Sequence, residues 1–122
     1  MKVLVGIIVG IAAVILLLSN AYCEDKGISP SDFQIISFNL RWEDGRLRVI
    51  GEIKNNGKIP AGPEVEVIAR DANGVLIESQ KFWPNSTNNI PPGGTSGISY
   101  TITRDARAKS GDIKVISVHI WK

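Results

Sequence analysis

The chain is poor in the residues that most often do chemistry, with one cysteine and one histidine in 122 residues. With Cys23 alone no internal disulfide can form, so the fold must be held by its apolar core. With His119 alone there is no Cys/His set for zinc, and acid–base or nucleophilic catalysis has a single imidazole to draw on. His119 shares the parity of Ser117 rather than that of Val118 and Ile120, which makes it an outward-facing strand residue and not a poised base. No Gly-x-Ser-x-Gly elbow or phosphate-binding glycine loop is present. No catalytic residue, metal ligand or cofactor is expected on these grounds.

Charge of one sign is also scarce. The formal net charge of +2 includes Lys2, which lies in a segment expected to be removed. Arg41, Arg46, Arg48, Lys54, Lys58 and Arg70 are interleaved with acids. No basic stripe emerges, and nucleic acid is set aside as a partner. Length sets a further bound, since 122 residues make one domain and not two. At 43% hydrophobic and 21% charged, the composition is that of a globular protein.

A long hydrophobic run, by contrast, is present. Met1-Lys2 is followed by the unbroken apolar stretch Val3 to Leu18, then by Ser19-Asn20-Ala21-Tyr22-Cys23 and the acids Glu24 and Asp25. One positive charge, an apolar stretch and a small-residue region form the layout of a secretory signal. At about 1.5 Å per residue the run would reach about 24 Å, short of the ~30 Å hydrocarbon core of a bilayer. Residues 1–21 are therefore read as a signal peptide, with a retained membrane anchor as the alternative. The protein is expected to be exported, either secreted or associated with the cell envelope. Ser19-x-Ala21 favours cleavage after Ala21. Cys23 offers a second ending as an acylated N-terminus, although Tyr22 stands where a lipoprotein signal normally has a small residue.

Residues 22–32 read as a linker and 33–122 as one domain of strands. Ile36, Phe38, Leu40 and Trp42 alternate with polar residues and predict one inward face, with Trp42 in the core. Asp44-Gly45 then predicts a tight hairpin. Leu47, Val49, Gly51 and Ile53 form the inward face of the next strand. After a loop over 55–63, Val65, Val67 and Ala69 mark a third strand, and Asp71-Ala72-Asn73-Gly74 a second turn. Val75 to Phe82, Thr95 to Thr103 (Ile98, Tyr100 and Ile102 inward) and Ile113 to Trp121 complete the set. Six to seven strands with turns every 8–12 residues predict an all-β, immunoglobulin-like antiparallel β-sandwich behind an N-terminal hydrophobic signal helix.

Ile50-Gly51-Glu52-Ile53-Lys54-Asn55, Asp71-Ala72-Asn73-Gly74 and Ile90-Pro91-Pro92-Gly93-Gly94-Thr95 together resemble the FxLYD family of extracytoplasmic domains. The resemblance runs from about Gly45 to Trp121. It implies a small immunoglobulin-like sandwich in a prokaryotic envelope or secreted protein, with no activity assigned. At the positions that name the family this chain carries Val67, Ala69, Arg70 and Asp71.

Two acidic patterns read as structural. Glu64 and Glu66 share one face of a strand about 6.7 Å apart, the spacing of solvated sheet charge. Asp71 to Gly74 opens like a calcium loop, but Val75, Leu76 and Ile77 follow where further ligands would be needed. The aromatics are more informative. Phe82 and Trp83 are adjacent and must face opposite ways in a regular strand, which leaves one of them exposed. With the Asn-rich loop beside them, Phe82, Trp83 and Asn85 form the expected contact surface for a protein or glycan partner at the cell envelope. The expected function is a non-enzymatic interaction or accessory domain. A membrane-tethered structural spacer and an unrecognised enzyme are the alternatives.

Overall fold

A glycine after an aspartate decides the first fold element. Asp44 and Gly45 both take positive φ, 51° and 75°, the type I′ geometry whose twist matches that of paired strands. The computed structural model describes residues 27–122, and on either side of this turn run β1 (Phe33–Glu43) and β2 (Arg46–Asn55). The remaining strands are β3 (Gly62–Arg70), β4 (Leu76–Phe82), β5 (Thr95–Thr103) and β6 (Ser110–His119). The signal or anchor segment 1–21 and Cys23 lie outside the described residues. Among the described residues there is no α-helix, and no helix long and apolar enough to cross a membrane.

The strands form two antiparallel three-stranded sheets, ordered β1-β2-β5 and β4-β3-β6. The chain changes sheet after β2, β4 and β5. The buried faces meet between the sheets: Leu47, Val49 and Ile53 of β2 and Ile98 and Ile102 of β5 against Val65, Val67 and Ala69 of β3. These residues follow the alternation of the sequence. Ahead of β1, Ile28 and Ser29 are buried against the domain, and Pro30–Asp32 forms a 3₁₀ turn leading into the strand.

The base of the sandwich, where β2 ends and β5 begins, is tied by Asn55. Its Nδ2 donates to the carbonyls of Ile59 (2.9 Å) and Ile90 (2.8 Å), and its Oδ1 accepts the Gly57 N–H (2.8 Å). Its backbone N–H donates to Gly94 O and its carbonyl accepts from Gly93 N. Pro91 to Gly94 is a type II turn, closed by Gly94 N donating to Pro91 O at 2.8 Å, with Gly93 at φ 79°. The Asn55 and Pro91–Thr95 segments, far apart in sequence, are one piece of structure.

β1 departs from its expected pattern. A bulge between Ile35 and Ser37 makes Ile36 an extra residue, so the expected run of Ile36, Phe38, Leu40 and Trp42 is not one inward face. Phe38, Leu40 and Trp42 do pair with the inward positions Gly51, Val49 and Leu47. Yet Ile36, Phe38 and Trp42 are 45%, 38% and 42% exposed. Trp42 has the parity of the core without being in it, on a strand at the edge of its sheet.

Candidate interaction surface

The two sides of the sandwich are finished differently. On the β4/β5 side, Phe82 stacks on Tyr100 with ring centroids 4.0 Å apart and planes 3° from parallel. The Tyr100 hydroxyl donates to Gln80 Oε1 (3.2 Å), and Gln80 Nε2 donates across the sheets to Ile102 O (2.9 Å). That side is laced shut. Beside it lies an open depression of about 290 Å³ lined by Glu78, Gln80, Thr101, Ile102, Thr103 and Arg104. Glu78 is its one carboxylate, and it accepts from Gln80 Nε2 at 2.7 Å.

On the β1/β6 side Leu40 bridges the sheets, lying on Gly111. A Cβ at Gly111 would sit 3.2 Å from Leu40 Cδ1. Phe38 and Trp42 flank Leu40 on the same face of β1 and remain exposed. Among the described strands, neither β1 nor β6 has a neighbour on its outer edge. Two long edge strands therefore lie one above the other, with aromatic side chains between them and water. An exposed apolar surface of this kind is the usual mark of a contact site.

The expected trio Phe82, Trp83 and Asn85 does not form one surface. Phe82 pairs with Val65 and points inward onto Tyr100, so it is withdrawn from the contact surface. Trp83 is half-buried on the outer side at the base, edge-on to Trp121 (5.5 Å) and 6.4 Å from His119. Its neighbour Trp121 lies against Gly62 and is pinned by Asn89, which accepts Trp121 N–H (2.9 Å) and donates to its carbonyl (2.8 Å). Asn85 serves its own loop, donating to Asn88 O (3.2 Å) and accepting from the Ser96 hydroxyl (3.2 Å). His119 is exposed, outward-facing and set between the two indoles. The cluster seals the base of the domain.

The acidic residues of the two sequence patterns also have structural partners. Glu64 accepts from Ser117 and Glu66 from Ser79, on opposite sides of β3, and Lys114 Nζ stands 3.4 Å from Glu66. Asp71 Oδ1 accepts the N–H groups of Asn73 and Val75, closing the β3–β4 turn. Among the described residues no group of three or more His, Cys, Asp or Glu is placed to hold a metal.

Asp105 is held down to about 2, first by the side-chain hydrogen bonds of Arg107 and then by the Arg107 backbone N–H. A carboxylate lowered on folding stabilises the fold above its ordinary value of 3.8, and that contribution is lost as pH falls through about 2. The expected result of a carboxyl NMR titration is a midpoint near 2 for Asp105. Arg107→Ala should return it toward the ordinary value, and an unchanged midpoint would show that Arg107 is not the cause.

No family model matches the chain, and no curated protein matches it. Among solved structures it is similar to a DUF1425 family member from Shewanella sp. pv-4. The TM-score is 0.54 at 15% identity, over 69% of this chain and 76% of that one. At that identity the likeness shows the fold alone, a small β-rich domain of two sheets.

Alternation alone does not single out Phe38 and Trp42 as a surface. One signal was present in β1, whose five large apolar residues between Ile35 and Trp42 exceed what one face of an eight-residue stretch can hold. A surplus of that kind marks a strand with apolar side chains on both faces.

Proposed function

We propose that the chain is an exported, non-enzymatic interaction domain that binds its partner on the open β1/β6 side of an immunoglobulin-like sandwich. The observation that carries this reading is the asymmetry of the two sides. The β4/β5 side is closed by Tyr100, Gln80 and Phe82, whereas the β1/β6 side presents Phe38 and Trp42 to solvent. The strand order supports the fold assignment: β1-β2-β5 and β4-β3-β6 are strands A-B-E and C′-C-F of such a sandwich. In that scheme β6 is strand F, and none of the described strands takes the place of strand G beside it. The FxLYD resemblance agrees, since its Asn55 and Pro91–Thr95 segments meet at the base of the fold.

The apolar N-terminal run supports export, and attachment by that run or through Cys23 would hold the domain at the membrane by its base. The β1 strand of 11 residues then carries Trp42 roughly 30 Å from that base, at about 3.3 Å per residue. A spacer domain would have no use for an exposed tryptophan there.

A photoreactive side chain at position 42 is expected to cross-link a partner in the native envelope, and one at Ser99 on the opposite sheet edge is not. Phe38→Asn with Trp42→Asn should abolish the association while moving the unfolding free energy by no more than about 1 kcal/mol. Cross-linking from position 99 in place of position 42 would overturn the assignment of the surface. No cross-link from either would favour the spacer.

A further inference from the structure

We infer that the partner seated on this side is a second copy of the chain, joined through β6 edge to edge about a twofold axis at Ile113. The inference rests on the interaction reading above and names the occupant of that surface. β6 has an outer edge with no neighbour among the described strands, and its inward residues Gly111, Ile113 and Val115 carry no charge. No proline interrupts it. Strands with such edges add a further strand readily, because their free N–H and C=O groups want partners.

The sequence of β6 selects itself as that strand. In an antiparallel pairing centred on Ile113, each residue lies opposite the one equally far on the other side of the axis. Asp112 of one copy then faces Lys114 of the other, and the same pair recurs across the axis. Gly111 faces Val115, a small residue against a branched one. Asp112 is exposed and has no ion-pair partner among the described residues. The Lys114 side chain is 63% exposed even while it touches Glu66, so its ammonium is accessible to a second carboxylate. Opposite charges facing each other favour a strand pair, and like charges disfavour it.

The same axis covers the aromatic residues. Leu40 rests on Gly111, two residues from Ile113, and this fixes the level of β1 over β6. Phe38 and Trp42, on either side of Leu40, stand at the rim that the second β6 enters. Strand F of the other copy takes the place beside β6 that no described strand occupies, giving a continuous six-stranded sheet β4-β3-β6-β6-β3-β4. The strand pair ends at the bulge between Val115 and Ser117, where the ladder to β3 shifts register.

The test uses the full-length chain in mild detergent, carrying two different tags, with co-purification of one tag by the other. Wild-type copies are expected to co-purify. Asp112→Lys with itself, and Lys114→Asp with itself, should each lose association by about 10-fold or more, because both place like charges opposite each other. Mixing the Asp112→Lys copy with the Lys114→Asp copy should restore it, since every facing pair is again of opposite sign. That restoration also shows that both variants fold. Co-purification unaffected by either reversal would place the dimer on another surface and overturn the inference. Wild-type copies that fail to co-purify, with position 42 still cross-linking a different protein, would overturn it while leaving the interaction reading in place. Failure of both experiments would overturn both.

Discussion

Replacing Asn55 by alanine is expected to lower the unfolding free energy by roughly 3–5 kcal/mol, the sum of three hydrogen bonds lost from a buried side chain and of the cavity left behind. The side chain is fully buried. Its amide is the shared partner of two carbonyls, Ile59 O and Ile90 O, and of the Gly57 N–H. Alanine removes all three bonds, and the Ile90 carbonyl is left with the long bond from the Ala61 N–H alone, at 3.3 Å. A net loss of about 1 kcal/mol per bond is the floor, and the space emptied at a fully buried position adds to it. For a domain of this size, that shift lowers Tm on the order of 15–30 °C.

The conservative change is no refuge. Asn55→Asp keeps the acceptor for Gly57 but turns a donor into a carboxylate oxygen facing two carbonyls. It should be at least as damaging as alanine at neutral pH, and should recover in part in acid as the carboxyl gains a proton. Urea-unfolding midpoints with a common slope measure both effects. A loss below about 1 kcal/mol for Asn55→Ala would show that the base loops close without it.

The role of Asn55 marks the limit of what could be read along the chain. Its position after a strand and before a glycine identifies it as a turn residue. Its other partner is Ile90, 35 residues away, and no local pattern connects the two. The strands themselves were legible wherever one face is buried against a sheet on the other side. Leu47, Val49 and Ile53 in β2, Val65, Val67 and Ala69 in β3, and Ile98 and Ile102 in β5 are all buried as their alternation requires. The Asp44-Gly45 turn was legible because only two positive φ values join these strands so tightly.

β1 was misread for a different reason. Alternation says which face of a sheet a side chain occupies, but not what covers that face. Trp42 pairs with the buried Leu47 and is still open to water, because β1 is at an edge and strand order is a long-range property. The same limit divides the expected trio of Phe82, Trp83 and Asn85. Phe82 and Trp83 do diverge, but Tyr100 lies over the first and Trp121 over the second. Those neighbours come from β5 and from the chain end beyond β6. What an aromatic touches depends on pairings that the local sequence does not encode.

Gly51→Ala is the second substitution expected to act strongly, at roughly 2–4 kcal/mol of destabilisation, the cost of forcing atoms into a packed site. The bulge at Ile36 turns the Ser37 carbonyl over the α-carbon of Gly51. A Cβ there would lie 2.2 Å from Ser37 O and 2.9 Å from Phe38 Cα. Both are backbone atoms, so no side-chain rotation relieves the overlap, and β1 must move away from β2. Gly97 supplies the matched comparison. It lies on β5 opposite Glu52, with nothing within 4 Å of its would-be Cβ, and Gly97→Ala should change stability by no more than about 0.5 kcal/mol. Hydrogen exchange should show faster opening of β1 amides in Gly51→Ala and unchanged exchange in β3. Equal effects at the two glycines would mean that the bulge yields freely. A loss confined to Gly51 would establish that β1 is held in its exposed position by the packing of Ser37 on a bare α-carbon. The exposed set of Phe38 would then be built into the strand pair and not left over from poor packing.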